Sequence, residues 1–291
     1  MKRILILEVR TAEESSKLVR RLAPEEYQRG VKAVATLMNL ELERSLIDIV
    51  RLNQTELKNQ LAALHDHSWN PSYVQTLAGR VLLNYLSSTR FYVDQMQRVL
   101  TRRFGHGSKE IGQFRLALAK AYDTSFAYRF LSRLRNYVQH RGLPYTTMSH
   151  VCIEGPTSSS PGRFRTTFRC SPKRLLHEYD GWGGVKAELK NRSRDLPIFS
   201  YISKMTRCLE KLDQTVLELL APDVVRARQT IIEICGKDWR GKQFLFTDLT
   251  KVAHSVRTRS AKGPMFLRSI PVPGHILTQV GRWTLPNTEE A

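Results

Sequence analysis

Three long stretches in the first half of the chain repeat their apolar residues at helical spacing, and short polar breaks separate them. From Pro24 to about Asp66, Val31, Val34, Leu37, Met38, Leu42, Leu46, Ile49, Val50, Leu57, Leu61 and Leu64 keep an approximate helical period. Pro24 suits a first helical position, and Glu25 and Glu26 favour the positive end of the helix dipole. Trp69-Asn70-Pro71 breaks the pattern. A second helix is predicted from Ser72, read as its N-cap, to about Phe104, with Val74, Leu77, Val81, Tyr85, Tyr92, Met96, Val99 and Leu100 as its stripe. After Gly105-His106-Gly107, Ser108 caps a third, running through Ile111, Phe114, Leu118, Tyr122, Phe130 and Leu134 to His140. Three such helices with short connections describe an up-down bundle.

Beyond Pro144 the period changes. Residues 145–154 and 163–170 are rich in Thr, Val, Phe and Ile, and they flank a Gly-, Pro- and Ser-rich loop. The pattern predicts a β-hairpin. Its second strand alternates, with Phe164, Thr166, Phe168 and Cys170 on one face and Arg163, Arg165, Thr167 and Arg169 on the other. Helical patterns resume over 172–179, 184–191 and 197–220, and Pro222 is read as opening one more helix to about Cys235. Residues 1–23 admit either a short strand or a helix. Over 237–291, Pro264, Pro271, Pro273 and Pro286 exclude long regular elements. The expectation is a mainly α protein, an up-down helical bundle with a β-hairpin insertion and an irregular, basic C-terminal segment. It divides into an N-terminal segment with a long helix (1–70), part of the bundle or packed on it, a helical domain (71–236) and the C-terminal segment (237–291).

Charge adds a partner to this picture. Of 291 residues, 46 are basic and 27 acidic, giving a net charge of +19, which points to a polyanion, nucleic acid before membrane. The surplus is uneven: residues 1–70 carry 11 basic and 10 acidic side chains, whereas residues 71–170 carry 15 and 4. The four cysteines form no Cys-x-x-Cys pair, the apolar run at Ile4–Leu7 meets a charge too soon for a signal peptide, and no stretch reaches membrane-spanning length. A reduced, cytoplasmic setting is expected.

Within the basic third lies Arg135-Asn136-Tyr137-Val138-Gln139-His140, followed by the helix stop Gly142 and Pro144. At about 100° per residue, Arg135, Asn136, Gln139 and His140 fall in one arc of about 140°, and Phe130, Leu131, Leu134, Tyr137 and Val138 fall opposite. A cation, an amide and an imidazole thus share the wet side of a helix whose other side is core. Asn136 and His140, four apart, are spaced to touch, so that the amide can orient the ring. The same spacing class recurs at Arg133 to His140, where Leu follows the Arg, and at Arg268 to His275, in a Pro-containing segment.

The Arg-Asn-x3-His arrangement resembles the HEPN superfamily, whose nuclease members carry Arg, four to six residues, then His, with a polar residue usually after the Arg. The resemblance covers the motif and the helices around it, and it implies a compact helical bundle. It also implies a homodimer in which two motifs meet across the interface, forming a composite, metal-independent endoribonuclease site. By resemblance, Arg135, Asn136 and His140 are catalytic, and the role is that of a toxin or antiphage effector with an antitoxin or other regulatory partner. RNA supplies its own nucleophile, the 2′-hydroxyl, so a proton shuttle and a cation suffice. An imidazole titrates near neutrality and can act as base or acid, and Arg135 would stabilise charge on the phosphorane. Arg141 and the Arg163, Arg165, Arg169 face are candidates for gripping the RNA backbone; a solvated edge strand that uses charge to block aggregation is the alternative account of the last three.

Other chemistry finds less support. His65-Asp66-His67 alternates at a helix end and does not share a face. Gly105-His106-Gly107-Ser108 and Trp182-Gly183-Gly184 read as turns. There is no P-loop, dinucleotide fingerprint, His-Glu-x-x-His or Gly-x-Ser-x-Gly motif. No metal or cofactor is expected. The alternative class is a non-catalytic helical RNA- or nucleotide-binding subunit of a larger defence or ribonucleoprotein complex.

Overall fold

A computed structural model describes residues 3–8, 17–64, 69–144, 147–155, 163–236, 243–248, 269–273 and 275–276. Seven helices dominate these residues: α1 (Pro24–Ala63), α2 (Pro71–Phe104), α3 (Lys109–Thr124), α4 (Phe126–Arg141), α5 (Pro172–Glu178), α6 (Val185–Lys190) and α7 (Ile198–Cys235). The strands are β1 (Arg3–Glu8), β2 (Lys17–Leu22), β3 (Thr147–Glu154), β4 (Arg163–Cys170), β5 (Leu196–Pro197), β6 (Gln243–Asp248) and β7 (Ser269–Pro271). The protein is therefore mainly α, with two small antiparallel sheets. No helix of the described residues is long and apolar enough to cross a membrane.

The chain divides into two compact units, residues 1–44 with 217–291, and residues 45–216. Both α1 and α7 contribute one part to each unit.

In the first unit, a four-stranded sheet has the order β2-β1-β6-β7. The β1–β6 register runs from Arg3 opposite Asp248 to Glu8 opposite Gln243. Residues 1–23 thus supply strands, and the C-terminal segment is not wholly irregular. Pro271 closes β7, an edge strand that pairs with β6 alone, the setting in which a strand tolerates proline. Phe246 of β6 is fully buried and meets Tyr27 edge-on, with ring centroids 6.1 Å apart. Gly30 lies directly against the Phe246 ring.

The second unit holds the candidate motif. Asn70, rather than Ser72, caps α2: its side-chain oxygen accepts from the Ser72 N–H at 2.8 Å, and Pro71 takes the first helical position. The expected single helix from Ser108 is two. Ser125 leaves helical geometry (φ −122°, ψ 109°), ends α3 through its N–H to the Ala121 carbonyl, and caps α4 by accepting from the Tyr128 N–H at 3.2 Å. Helices α2, α3 and α4 pack against one another, and α4 also packs on α6.

Two polar bridges tie α2 to α7. The Tyr85 hydroxyl donates to the Ile202 carbonyl at 3.0 Å and lies 2.8 Å from the Thr206 hydroxyl, and Tyr92 donates to buried Asp213 at 3.1 Å. Burial raises both phenol pKa values, leaving them as neutral donors. Pro222 does not open a new helix but lies inside α7. Val216, Leu220, Val224 and Ala227 stay buried on both sides of it, so continuous packing outweighs the lost backbone bond. On α1 the buried stripe includes Leu40 and Ile47, while Met38, Leu42 and Ile49 of the expected stripe are exposed.

The expected hairpin is present, β3 pairing antiparallel with β4 and β4 with β5. Trp182, fully buried, donates from its indole nitrogen to the Leu175 carbonyl at 2.9 Å, fixing the α5–α6 turn.

Candidate functional site

The motif closes α4. Phe130, Leu131, Leu134, Tyr137 and Val138 are buried. Arg135 and Asn136 are half-buried, and Gln139, His140 and Arg141 are exposed. Gly142 stops the helix with a positive φ of +99° that suits glycine, its N–H bonding the Val138 carbonyl at 3.2 Å. The polar residues therefore line the solvent side as their spacing requires. They do not, however, converge on one point.

Arg135 and Asn136 are brought together. One guanidinium nitrogen of Arg135 donates to the Asn136 side-chain oxygen at 3.3 Å, and its Nε is shielded from solvent without a partner. The Asn136 side-chain oxygen is thus engaged by Arg135 and not by His140. Both residues line a cleft of about 430 Å³ between α2, α3 and α4, floored by Leu118, Tyr128 and Met205. Burial pushes the Tyr128 hydroxyl up to about 12, so it stays a neutral wall of this cleft.

His140 lies beyond the cleft, one turn further on. Its ring is nearly parallel to that of Tyr179, with centroids 6.4 Å apart and an interplanar angle of 16°. Tyr179 follows α5 directly and is anchored by aromatic contacts to Tyr137 and Trp182, at 6.0 and 5.7 Å between centroids. Tyr137, on the core side of α4, donates a short hydrogen bond to Glu178, which also receives one from Arg174 at 2.6 Å. The Tyr137 bond, then the Arg174 bond, lowers the Glu178 pKa. Burial, then the Glu178 contact, raises that of Tyr137.

A second fork fixes the start of α4. Arg129 grips both oxygens of Glu188 on α6, at 2.9 and 3.0 Å, and donates to the end carbonyls of α3 at Tyr122 and Asp123. Those carbonyls would otherwise lack partners at a helix terminus.

Arg163, Arg165 and Arg169 are exposed on one face of β4, while Phe168 and Cys170 on the other are buried. Arg163 pairs with Glu154 on the facing strand at 3.4 Å. Burial pushes the Cys170 thiol up to about 12, which leaves it unreactive. Among the described residues, no three His, Cys, Asp or Glu side chains group as metal ligands. His65-Asp66-His67, most of the Ser-rich loop, and Arg257, Arg259, Lys262 and Arg268 lie outside the described residues.

The sequence reading missed Tyr179, the Tyr137–Glu178–Arg174 chain, and the cleft residues Arg90 and Asp94, and it noted Arg133 only for its spacing from His140. Only Arg133 carried a signal. It and Arg135 flank the strip Tyr128, Ser132 and Asn136 at spacings of four on α4.

Compared with protein-family models, with curated proteins and with solved structures, the chain matches none.

Proposed function

We propose that the protein is a metal-independent endoribonuclease with a HEPN-like helical domain, acting as a homodimer. The reading rests above all on the hydrogen-bonded Arg135–Asn136 pair at the mouth of a cleft, with an accessible His140 one turn away on the same helix. His140 takes the proton from a ribose 2′-hydroxyl, whose oxygen bonds to the adjacent phosphorus. The bond from phosphorus to the 5′-oxygen breaks, and that oxygen receives a proton from the protonated imidazole of the second copy. The products are a 2′,3′-cyclic phosphate and a 5′-hydroxyl. Arg135 stabilises the extra charge on the phosphorane, and Arg141 and the β4 arginines help to hold the strand. A toxin or antiphage effector in the cytoplasm, restrained by an antitoxin or other regulatory partner, is the biological role that fits such an activity.

Purified protein is incubated with RNA in excess chelator and the products are run on a denaturing gel. Cleavage is expected to persist with chelator and to vanish in His140→Ala and Arg135→Ala. Cleavage that needs added metal, or that survives His140→Ala, refutes the mechanism. A second reading, a non-catalytic RNA-binding subunit, draws on the divergence of Arg135 and His140 into different surroundings within one copy. It predicts that the protein binds RNA without cutting it and that its expression is tolerated.

A further inference from the structure

On its far side, α2 borders a second depression of about 510 Å³, lined by Phe91, Arg98 and Ile49 among others. Arg90, Asp94 and Arg135 line both this depression and the cleft of about 430 Å³. Arg90 and Asp94 neutralise each other at 2.8 Å. No carboxylate among the described residues pairs with Arg98, Arg133 or Arg135. The two hollows thus adjoin at Arg135 and carry one unpaired guanidinium at the junction, one in the far depression (Arg98) and one in the cleft (Arg133).

Each hollow also offers a ring. Phe91 is 45% exposed in the far depression, and half-buried Tyr122, with the Arg129 guanidinium over one face of its ring at 6.0 Å, lines the cleft. Hollows of this size each suit a molecule of a few rings and not a duplex. Alternating cations and accessible aromatic faces are the equipment of single-stranded nucleic-acid sites, where phosphates follow the charges and unstacked bases lie on the rings.

We propose that the two hollows form one track for single-stranded RNA across α2 and α4. Arg98, Arg135 and Arg133 meet successive phosphates, and Phe91 and Tyr122 stack bases. The track rests on the reading of RNA as the substrate and adds where the strand runs, which is a path distinct from the arginine face of β4.

The test measures binding alone. Fluorescence anisotropy of a labelled, unstructured uridine-rich oligoribonucleotide is followed against His140→Ala protein in chelator over a series of salt concentrations. Removing one cation that neutralises a phosphate makes the slope of log affinity against log salt shallower by about 0.7. Arg98→Glu and Arg133→Gln are expected to lower the slope by at least this amount. Phe91→Ala is expected to weaken binding roughly fivefold to a hundredfold while leaving the slope unchanged. Arg163→Ala with Arg165→Ala should leave the effects of these three substitutions intact. Arg98 and Phe91 are exposed, so their variants keep the test valid should Arg133→Gln unfold.

Parent-like binding by Arg98→Glu and Phe91→Ala overturns the track, as does equal affinity for duplex RNA. A wild-type protein that binds in this way yet never cuts refutes the nuclease reading and leaves the track standing. One that cuts while these variants bind normally does the reverse.

Discussion

Replacing Tyr137 by Phe removes one hydroxyl from the wall between the core and His140, and its cost follows from the partners it leaves behind. The phenol is 1% exposed and donates to Glu178, whose carboxylate is also bonded by Arg174 and keeps 29% of its side chain in solvent. The carboxylate is therefore not orphaned in a dry interior. The loss should sit near the low end for a hydrogen bond to a charged group, about 1.5 kcal/mol. For a unit of this size, that lowers the melting temperature by about 3–6 °C.

The pH dependence separates this bond from simple packing. Glu178 has a folded-state pKa below its ordinary value, so its contribution is present above the unfolded value and is lost as pH falls through the folded one. Tyr137 has a raised pKa, so its contribution is full below the unfolded value and is lost as pH rises above it. The stability gap between wild type and Tyr137→Phe should be widest between about pH 5 and pH 10 and should narrow on both sides. Urea denaturation followed by circular dichroism from acid to alkaline pH measures the gap. In a double-mutant cycle with Glu178→Gln, the two changes should couple by about 1 kcal/mol. A gap that is constant over the whole range, or a coupling of zero, would show that the hydroxyl acts by filling space.

Two further substitutions test the frame around the site. Arg129→Lys keeps the charge but loses the planar fork that spans Glu188 and the end of α3; a loss of about 1–2 kcal/mol is expected, and an unchanged denaturation midpoint would contradict it. Gly30→Ala would gain about 1 kcal/mol of helix propensity, but the new methyl overlaps the buried Phe246 ring and meets Ile234 at 3.1 Å. Overpacking of about 1–3 kcal/mol should prevail, so a higher melting temperature would refute the contact between α1 and β6.

How far these features could be read beforehand depends on how local their causes are. The polar/apolar split of α4 was legible because a helix fixes the direction of every side chain by its number. The β3–β4 hairpin was legible because both strands and their turn residues are adjacent. The β1–β6 pairing was not, since nothing near Ile4 or Phe246 encodes a partner that lies across the whole chain. The prolines after residue 263 suggested irregularity, yet an edge strand tolerates Pro271 where a central strand would not. Pro222 misled for a related reason: its ring costs one backbone bond, while the stripe through Val216, Leu220 and Val224 repays that locally in burial. Within the motif, periodicity gave the face but not the partner. Asn136 is spaced four from His140, yet its side-chain oxygen accepts from the adjacent Arg135, a partner that helical spacing alone does not encode.

That choice bears on how a site of this kind would work. Residues five apart on a helix diverge by about 140°, and the surroundings here widen the divergence. Arg135 is held by Asn136 toward the cleft between α2 and α3, whereas His140 is drawn along the ring of Tyr179 on the α5 side. A single phosphate seated on Arg135 would lie away from the imidazole of the same copy. Under the proposed mechanism, the missing group is most simply supplied by a second copy related by a two-fold axis, because an isologous contact presents every residue twice. The helix then has one task, to keep the cation and the imidazole apart at fixed bearings, and the rigid Tyr137–Glu178–Arg174 and Arg129–Glu188 links on its other side are what such a task needs.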